Sequence, residues 1–329
     1  MNVIRRIRYE LVLQADSPIA HHSSTLGNHS FLMTRKVKTK RGFEEIPIVT
    51  ADAMRNRLRY ASSLALLDAA GMTEGSLSEA ALRLLFNGGT VDGGSGGAVK
   101  LDAYRELVEL VPALGLFGGC ASNRIVPGRL FVEDAMLICS ETERYLSPWM
   151  TTAAKEQGPL DTYSAHVEQA QRVRMDTTLN PAMRKLLTTD EQVSVAKRLT
   201  ASESASTSND AVEKTNTKSA MLPRTFECIA MGSLLGWAVE AVVQNELDED
   251  VFNVAVLAFL ARAVVGGKSG TGHGKLRVVA ANNVLMRTPA REHEAMDTAA
   301  LGMKVGSLFK THVEARRDRI REFLATCSA

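Results

Sequence analysis

The chain has 329 residues, of which 45% are apolar and 23% are charged, and its formal net charge is +2. This composition supports an ordinary packed core in one or two domains. No apolar run reaches the ~18 residues that a membrane span requires. The basic start lacks the apolar stretch of a signal peptide, so we expect a cytoplasmic protein without a membrane partner. The four cysteines are far apart and include no Cys-x-x-Cys pair, which argues against a disulfide framework or a zinc site.

The distribution of charge is more informative than its sum. Between residues 17 and 43 there is no Asp or Glu. Cations in that segment are Arg35, Lys36, Lys38, Lys40 and Arg41. An uncompensated basic segment attracts polyanions, although any single cluster of this kind is more often a solvated face.

The first elements in chain order are a strand, a basic loop and a helix. Residues 4–15 alternate in character as a strand does, and the polar, basic stretch after them is typical of a long loop. Thr50 is suited to cap a helix, apolar residues follow it at helical spacing, and Gly71 can end the helix. This helix places Arg55 and Arg59 one turn apart, beside its apolar stripe.

In the middle of the chain, the sequence pattern predicts two short helices, a strand and an arm. Helical patterns cover residues 77–86 and 101–110, on either side of a glycine-rich loop. A glycine turn leads into a strand that ends near Cys139. From about residue 151 to 221 the sequence is polar and poor in aromatic residues, with too little apolar surface to fold independently. We therefore expect this segment to protrude as an arm.

A glycine loop lies between a helix expected at 251–264 and a strand expected at 275–286, and an amphipathic helix ends the chain. The loop holds five glycines and the cations Lys268, Lys275 and Arg277. Glycine amides can approach an anion without a Cβ in the way, so this composition favours phosphate binding, with a flexible connector as the competing interpretation. A Walker loop is excluded, because Arg262 stands where that motif needs glycine and the order is helix, loop, strand.

Once insertions are removed, the order of the predicted elements is strand, helix, strands, helix, strand. This order predicts an α+β protein with a ferredoxin-like β-α-β-β-α-β core. Because that fold hosts many unrelated functions, the function has to be argued from the site.

Three separated segments resemble the RAMP superfamily, the backbone subunits that coat guide RNA in CRISPR effector complexes. Residues 45–59, EIPIVTADAMRNRLR, are similar to the family's Ile-Pro turn and basic first helix. Residues 115–119, GLFGG, and 128–135, GRLFVEDA, are similar to its Phe-Gly turn and to the strand with an acidic-Asp pair. The third segment is the glycine loop before the last core strand. Length and Ala-rich helices are most similar to the backbone subunit of type IV complexes, which is related to that of type III.

The resemblance implies a ferredoxin-like palm, similar to an RNA-recognition motif, with helical insertions and a protruding thumb arm. Residues 1–150 would form the N-terminal part of the palm, 151–222 the arm, and 223–329 the rest of the palm with the terminal helix. Copies would stack head to tail along one guide RNA (crRNA), which sets the length of the filament. Other CRISPR effector subunits and a target nucleic acid, DNA in preference to RNA, would be partners, and no cofactor is implied.

The residues expected at the RNA lie in the basic loop, the first helix and the glycine loop. They are Asn28, His29, Ser30, Arg35, Arg55, Arg59, Lys268, Ser269, Gly270, His273 and Lys275. Such cations, amides and small polar groups hold phosphate and 2′-hydroxyl groups without reading sequence. On the arm we expect Met175, Met183, Arg184 and Lys185, where the methionines, with Leu186 and Leu187, would supply an apolar wedge or a small local core.

We expect no catalysis and no metal site. The resemblance implies that target-cleaving type III relatives use an Asp in the loop after the first strand, for a metal-assisted reaction. Here the tip of that loop has Gly27, Asn28 and His29, while the nearest carboxylates, Asp16 and Glu44, only flank it.

Two alternatives stay open. The first is a RAMP endoribonuclease that cuts RNA without metal, with His21, His22 and His29 as acid and base. Histidines in a basic loop are more often hydrogen-bonding contacts. The second is a small-molecule nucleotide enzyme built on the glycine loop, but no partner motif accompanies that loop.

Overall fold

The computed structural model describes residues 4–40, 42–89, 101–121, 124–175, 188, 190, 193, 221–286, 291–295 and 306–327. The strands are β1 (Arg5–Ala15), β2 (His22–Leu26), β3 (His29–Leu32), β4 (Thr34–Thr39), β5 (Gly42–Val49), β6 (Gly119–Ala121), β7 (Arg124–Val126), β8 (Leu130–Val132), β9 (Ala135–Leu137), β10 (Val167–Met175), β11 (Met221–Ile229), β12 (Leu234–Val243), β13 (Leu276–Met286) and β14 (Arg291–Ala295). The helices are α1 (Ala51–Ala70), α2 (Glu79–Asn87), α3 (Leu101–Leu110), α4 (Ala113–Phe117), α5 (Pro148–Lys155), α6 (Glu246–Leu260), α7 (Ser307–Ala315) and α8 (Arg317–Thr326). The predicted α+β class is confirmed.

A sheet of eight strands forms the centre of the molecule. Its order is β14-β13-β1-β12-β9-β5-β4, with β8 beside β12. The central strand β1 pairs antiparallel with both β12 and β13. The N-terminal and C-terminal parts of the chain therefore share one sheet.

The apolar core lies between this sheet and helices α1 and α6. Alternate residues of β1, among them Ile7 and Leu11, are fully buried in one cluster with Leu58 of α1 and Val256 of α6. On the opposite face, α5 covers only part of the sheet, where Met150 joins a second cluster. Alternation along β1 thus divides one strand between two cores.

Helix boundaries follow local capping. Thr50 accepts a hydrogen bond from Ala53 N, and Gly71 ends α1 in the left-handed conformation, as the sequence predicts. The helix predicted at 251–264 begins earlier, because the Asn245 side chain caps it and acidic residues in its first turn suit the positive end of a helix. The single helix predicted at the end is two helices, α7 and α8, that meet at Arg316.

The prediction of a long basic loop after β1 is wrong. Residues 22–39 form strands β2, β3 and β4, and β3 pairs in parallel with β11 at the base of the arm. The four-stranded sheet β10-β11-β3-β2 results. Sequence periodicity did not indicate these strands, since they are short, polar and largely exposed.

Of the predicted arm, the structure describes residues 151–175, 188, 190, 193, 221 and 222. Residues 151–155 belong to α5, which packs on the sheet and does not protrude. β10 pairs antiparallel with β11, and we call this pair the base of the arm. Met183, Arg184, Lys185, Leu186 and Leu187 lie outside the described residues. For Met175 it describes the backbone, at the end of β10. Within the described part of the chain, no helix combines the length and apolarity needed to cross a membrane.

Candidate nucleic-acid interface

The glycine loop is closed at its base and anchored to the segment after β1. Val265 N donates to Gly274 O at 2.9 Å, which brings the two ends of the loop together. Gly267 N donates to Ala20 O at 3.0 Å, and Gly274 N donates to Pro18 O at 2.8 Å. The loop therefore has a fixed position beside the start of β2.

The glycines of this loop divide into two kinds. Gly266 and Gly274 have φ of 81° and 83°, and a Cβ there would lie 2.6 Å from Ala20 O and 1.8 Å from Val265 O. These two are required by the close approach of backbone to backbone. A Cβ on Gly267 or Gly270 would meet no atom within 4 Å, so the tip of the loop is open to a ligand.

Phe226 of β11 joins the loop to the four-stranded sheet. The ring is 1% exposed, and Lys268 Nζ lies 3.8 Å from its centroid. The ring of His273 lies 5.8 Å from it, centroid to centroid. A cation over an aromatic face is attracted to the ring, so this contact positions Lys268 at the border between loop and sheet.

The same face of the sheet continues onto β3 and β2. Ser30 stands beside Phe226 in the parallel register, and its Oγ lies 3.0 Å from Thr25 Oγ1. Asn28 supports this arrangement with its backbone, because Asn28 O accepts from Thr225 N at 2.9 Å. We call this surface the loop-sheet surface: its residues are Thr25, Ser30, Arg172, Arg224, Phe226, Lys268, Ser269, Gly270, His273 and Lys275.

Strand alternation places His29 on the other face of that sheet. Its Nε2 is buried, has no hydrogen-bond partner among the described residues, and lies 3.8 Å from Glu227 Oε1. Its ring lies 4.4 Å from that of Phe31. Of the three predicted neighbours, the structure therefore brings Ser30 to the glycine loop and turns His29 away from it.

Sequence analysis missed Arg172 and Arg224 at this surface. They stand directly opposite each other on β10 and β11, are exposed, and the Arg172 guanidinium lies 5.9 Å from the Phe226 centroid. Burial, and then the charges of Arg172 and Arg224, lower the pKa of Lys268. Period-two alternation of Arg224, Phe226 and Cys228 was present at the start of the predicted C-terminal palm, whereas Arg172 lies in the segment that was interpreted as a polar arm.

Arg35 lies elsewhere, at the start of α1. Its Nε donates to Asp134 Oδ2 at 2.7 Å, and Asp134 Oδ1 accepts from Ala51 N at 2.7 Å. The carboxylate therefore links β4 to the first turn of the helix. Asp134, the second member of the acidic-Asp pair in the GRLFVEDA segment, therefore has a structural role as a cap of α1.

Arg55 and Arg59 point into the protein. Arg55 donates to Leu130 O at 2.9 Å and to Phe117 O at 2.6 Å. Arg59 donates to Phe117 O at 3.2 Å and to Gly118 O at 3.0 Å. Burial lowers the pKa of both guanidinium groups, that of Arg59 to about 10. They hold the GLFGG turn, and the structure does not bring them to the loop-sheet surface.

Comparison with known proteins is informative for solved structures. No known family matches the sequence, and no curated protein does. A chain in a solved structure described as a Type IV-B CRISPR complex matches with a TM-score of 0.52 and 16% identity, over 87% of this chain and 92% of that chain. The protein has the fold of a type IV CRISPR subunit. The predicted similarity to a type IV CRISPR subunit is thus confirmed at the level of the fold.

Within this type IV fold, His21 and His22 of the ribonuclease alternative each have a hydrogen-bond partner, whereas His29 Nε2 has none among the described residues. His21 Nε2 lies 3.2 Å from Thr50 Oγ1 and accepts from Thr50 N at 3.3 Å. His22 Nε2 donates to Glu227 O at 2.9 Å. Among the residues that the structure describes, no three His, Cys, Asp or Glu side chains are grouped as metal ligands would be.

Proposed function

We propose that this chain is a non-catalytic, crRNA-binding backbone subunit of a type IV CRISPR effector complex, with a RAMP palm of the ferredoxin-like kind. The order β13-β1-β12-β9 supports that palm, because it corresponds to strands 4-1-3-2 of a β-α-β-β-α-β unit. Along the chain, helix α1 comes after β1 and the inserted strands β2–β5, and helix α6 comes directly after β12. The two helices pack in one core.

The observation that carries the RNA-binding role is the composition of the loop-sheet surface. It combines Lys268 and Lys275, the hydroxyls of Thr25 and Ser30, and an open glycine tip. Such groups suit phosphate and 2′-hydroxyl contacts, which do not depend on base sequence. Phe226 is 1% exposed and cannot act as a stacking platform of the kind that single-strand-binding proteins use. A subunit that must accept any guide needs a surface of this type.

The proposed assembly is a cytoplasmic ribonucleoprotein. Copies repeat head to tail along the crRNA, other CRISPR effector subunits complete the complex, and the guide is presented to a target nucleic acid, DNA in preference to RNA. The similar chain belongs to a structure described as a complex, which supports an assembly of several subunits. A head-to-tail interface that does not close into a ring gives an open filament, whose length the RNA would set.

The mass of the protein with and without a guide-length RNA tests this role. Size exclusion with light scattering should give a multi-copy particle only with RNA, and the recovered RNA should be intact on a denaturing gel. Lys268→Glu with Lys275→Glu should abolish the particle. Lys310→Glu with Arg317→Glu is the matched control, since both residues are exposed on α7 and α8 and the change of charge is the same.

Two results would contradict the proposal. Equal assembly of both double variants would exclude the loop-sheet surface as the RNA site. Shortened RNA that persists with a chelator, and is lost in His21→Ala, His22→Ala, His29→Ala protein, would favour the endoribonuclease instead.

A further inference from the structure

The base of the arm and the glycine loop bring three cations together from three separate elements. Arg172 and Arg224 are paired across β10 and β11, so their side chains leave the same face of the sheet. Lys268 reaches the same face from the loop and sits over Phe226, the next residue but one after Arg224 on that face. We call Arg172, Arg224 and Lys268 the arm-loop cluster.

No described carboxylate lies within salt-bridge distance of this cluster. Strand alternation places one acid, Glu168, on the same face. It pairs with Cys228, four residues along the strands from the Arg172–Arg224 pair. Like charges held together by the fold oppose one another unless an anion lies between them. The arm-loop cluster is therefore arranged for a ligand that carries negative charge.

We propose that the arm-loop cluster binds one phosphodiester group of the RNA strand, so that the arm and the glycine loop hold the same phosphate. This inference rests on the proposed RNA-binding function. Two guanidinium groups match phosphate oxygens in a planar, bidentate manner, and Lys268 adds a point charge from a second direction. Lys268 covers the Phe226 ring, and the ring is 1% exposed. The site therefore offers no free aromatic face to a base.

The salt dependence of RNA binding by the full chain tests this proposal. The probe is a fluorescent uridine 12-mer, with dissociation constants measured over a series of NaCl concentrations. For single strands, the slope of log K against log salt changes by about 0.7 for each phosphate contact. Arg172→Gln with Arg224→Gln should lower the magnitude of the slope by about that amount and weaken binding about tenfold at low salt.

Three comparisons make the test specific. Arg172→Lys with Arg224→Lys keeps the charge and should keep most of the slope while it loses the bidentate contacts. Lys310→Gln with Arg317→Gln removes the same charge from α7 and α8, outside the loop-sheet surface, and should leave the slope unchanged. Thermal unfolding without phosphate should show the double Gln variant as stable as the wild type or more stable, since a like-charge repulsion has been removed.

The outcomes separate this inference from the proposed function. If wild-type protein does not bind the 12-mer, the proposed function itself fails. If it binds and the double Gln variant keeps the wild-type slope, the arm-loop cluster is not an RNA phosphate site, although the RNA-binding role stands. Stabilisation of the wild type but not the variant by inorganic phosphate, with the RNA slope unchanged, would assign the site to free phosphate and overturn the proposal. Destabilisation of the variant with an unchanged slope would make the two arginines structural and overturn it as well.

Discussion

Two sets of three cations use the same chemistry for different ends. Arg55, Arg59 and Arg129 are interior arginines, whose N–H groups donate to backbone carbonyls of the turns and strands around them. The arm-loop cluster has no described carboxylate in salt-bridge contact. The first set stabilises the fold, whereas the second is available to a ligand.

The comparison shows why the position of a cation in a helix does not identify a binding site. Arg55 and Arg59 lie one turn apart on a basic helix, as a phosphate-gripping pair would, yet each already donates two hydrogen bonds to backbone carbonyls of the protein. A guanidinium group has five N–H donors and no acceptor. The direction of these groups, which is set by the carbonyls that accept from them, is therefore more informative than their charge alone.

The largest expected effect concerns Arg129. It donates to both oxygens of Asp248, at 2.6 and 3.2 Å, and also to Gly115 O at 2.9 Å. Asp248 is 5% exposed. Removing one partner of a buried ion pair costs about 3–5 kcal/mol, and we expect that loss of unfolding free energy for Arg129→Ala in urea.

The control for Arg129 is an exposed arginine with an ion pair of its own. Arg277 lies 3.1 Å from Asp16 on the surface, and Arg277→Ala should cost less than about 1 kcal/mol. A similar loss in both variants would contradict the distinction between interior and surface cations.

Arg59→Ala should have the next largest effect. The substitution removes the donors to Phe117 O and Gly118 O, and hydrogen bonds from charged groups are worth about 1.5–3 kcal/mol. We expect a loss of about that size in urea unfolding, with RNA affinity per folded molecule unchanged. Arg83 is the matched control, because it is exposed and forms an ion pair with Glu79 one turn away on α2. Arg83→Ala should lower the free energy of unfolding by less than about 0.5 kcal/mol. Loss of RNA affinity in well-folded Arg59→Ala protein would return Arg59 to the RNA site.

The two kinds of glycine allow a comparison within one loop. Gly274→Ala forces a side chain into a left-handed conformation and against Val265 O, so we expect a loss of about 1–3 kcal/mol. RNA affinity should fall with it, because the loop can no longer close. Gly270→Ala should change stability by less than about 0.5 kcal/mol, and unfolding curves for the two proteins check this. Equal stability of the two variants would show that the base of the loop is not constrained as described.

The sequence predicts the regular elements well and the arm base poorly, for a physical reason. α1 and the central strands bury long apolar patterns, and caps such as Thr50 and Gly71 fix the helix ends. Strands β2 and β3 bury little, and they form because β11, almost 200 residues later, pairs with β3. No local pattern encodes a parallel partner at that distance.

The candidate site was predicted in part. The glycine loop, Lys268 and Ser30 come together as expected, because glycine composition and local charge are visible in one segment. Arg172 and Arg224 were missed since their importance depends on register across two strands. The partners of Arg55 and Arg59 could not be predicted either, because they are backbone carbonyls of the distant GLFGG turn and of β8.

His21 also has a fixed partner inside the fold, but unlike the arginines it can change its charge near neutral pH. Its Nε2 accepts from Thr50 N at the start of α1, which only the neutral ring can do. Burial, and then the charge of His22, lower its pKa, while Asp134 acts in the opposite direction. The unfolded chain, with a pKa of about 6.5, therefore binds more protons than the folded one below that pH, and stability falls as the pH decreases from about 6.5 toward the folded-state pKa. Urea midpoints at pH 7.5 and 5.5 should show this loss of stability, which we expect to be the smallest of the four effects. His21→Gln should reduce the loss. Part of the pH dependence should remain, because burial also lowers the pKa of His166. An identical pH dependence in both proteins would mean that the His21 ring is not held by the helix start, and would leave it free for the acid-base role that the endoribonuclease alternative requires.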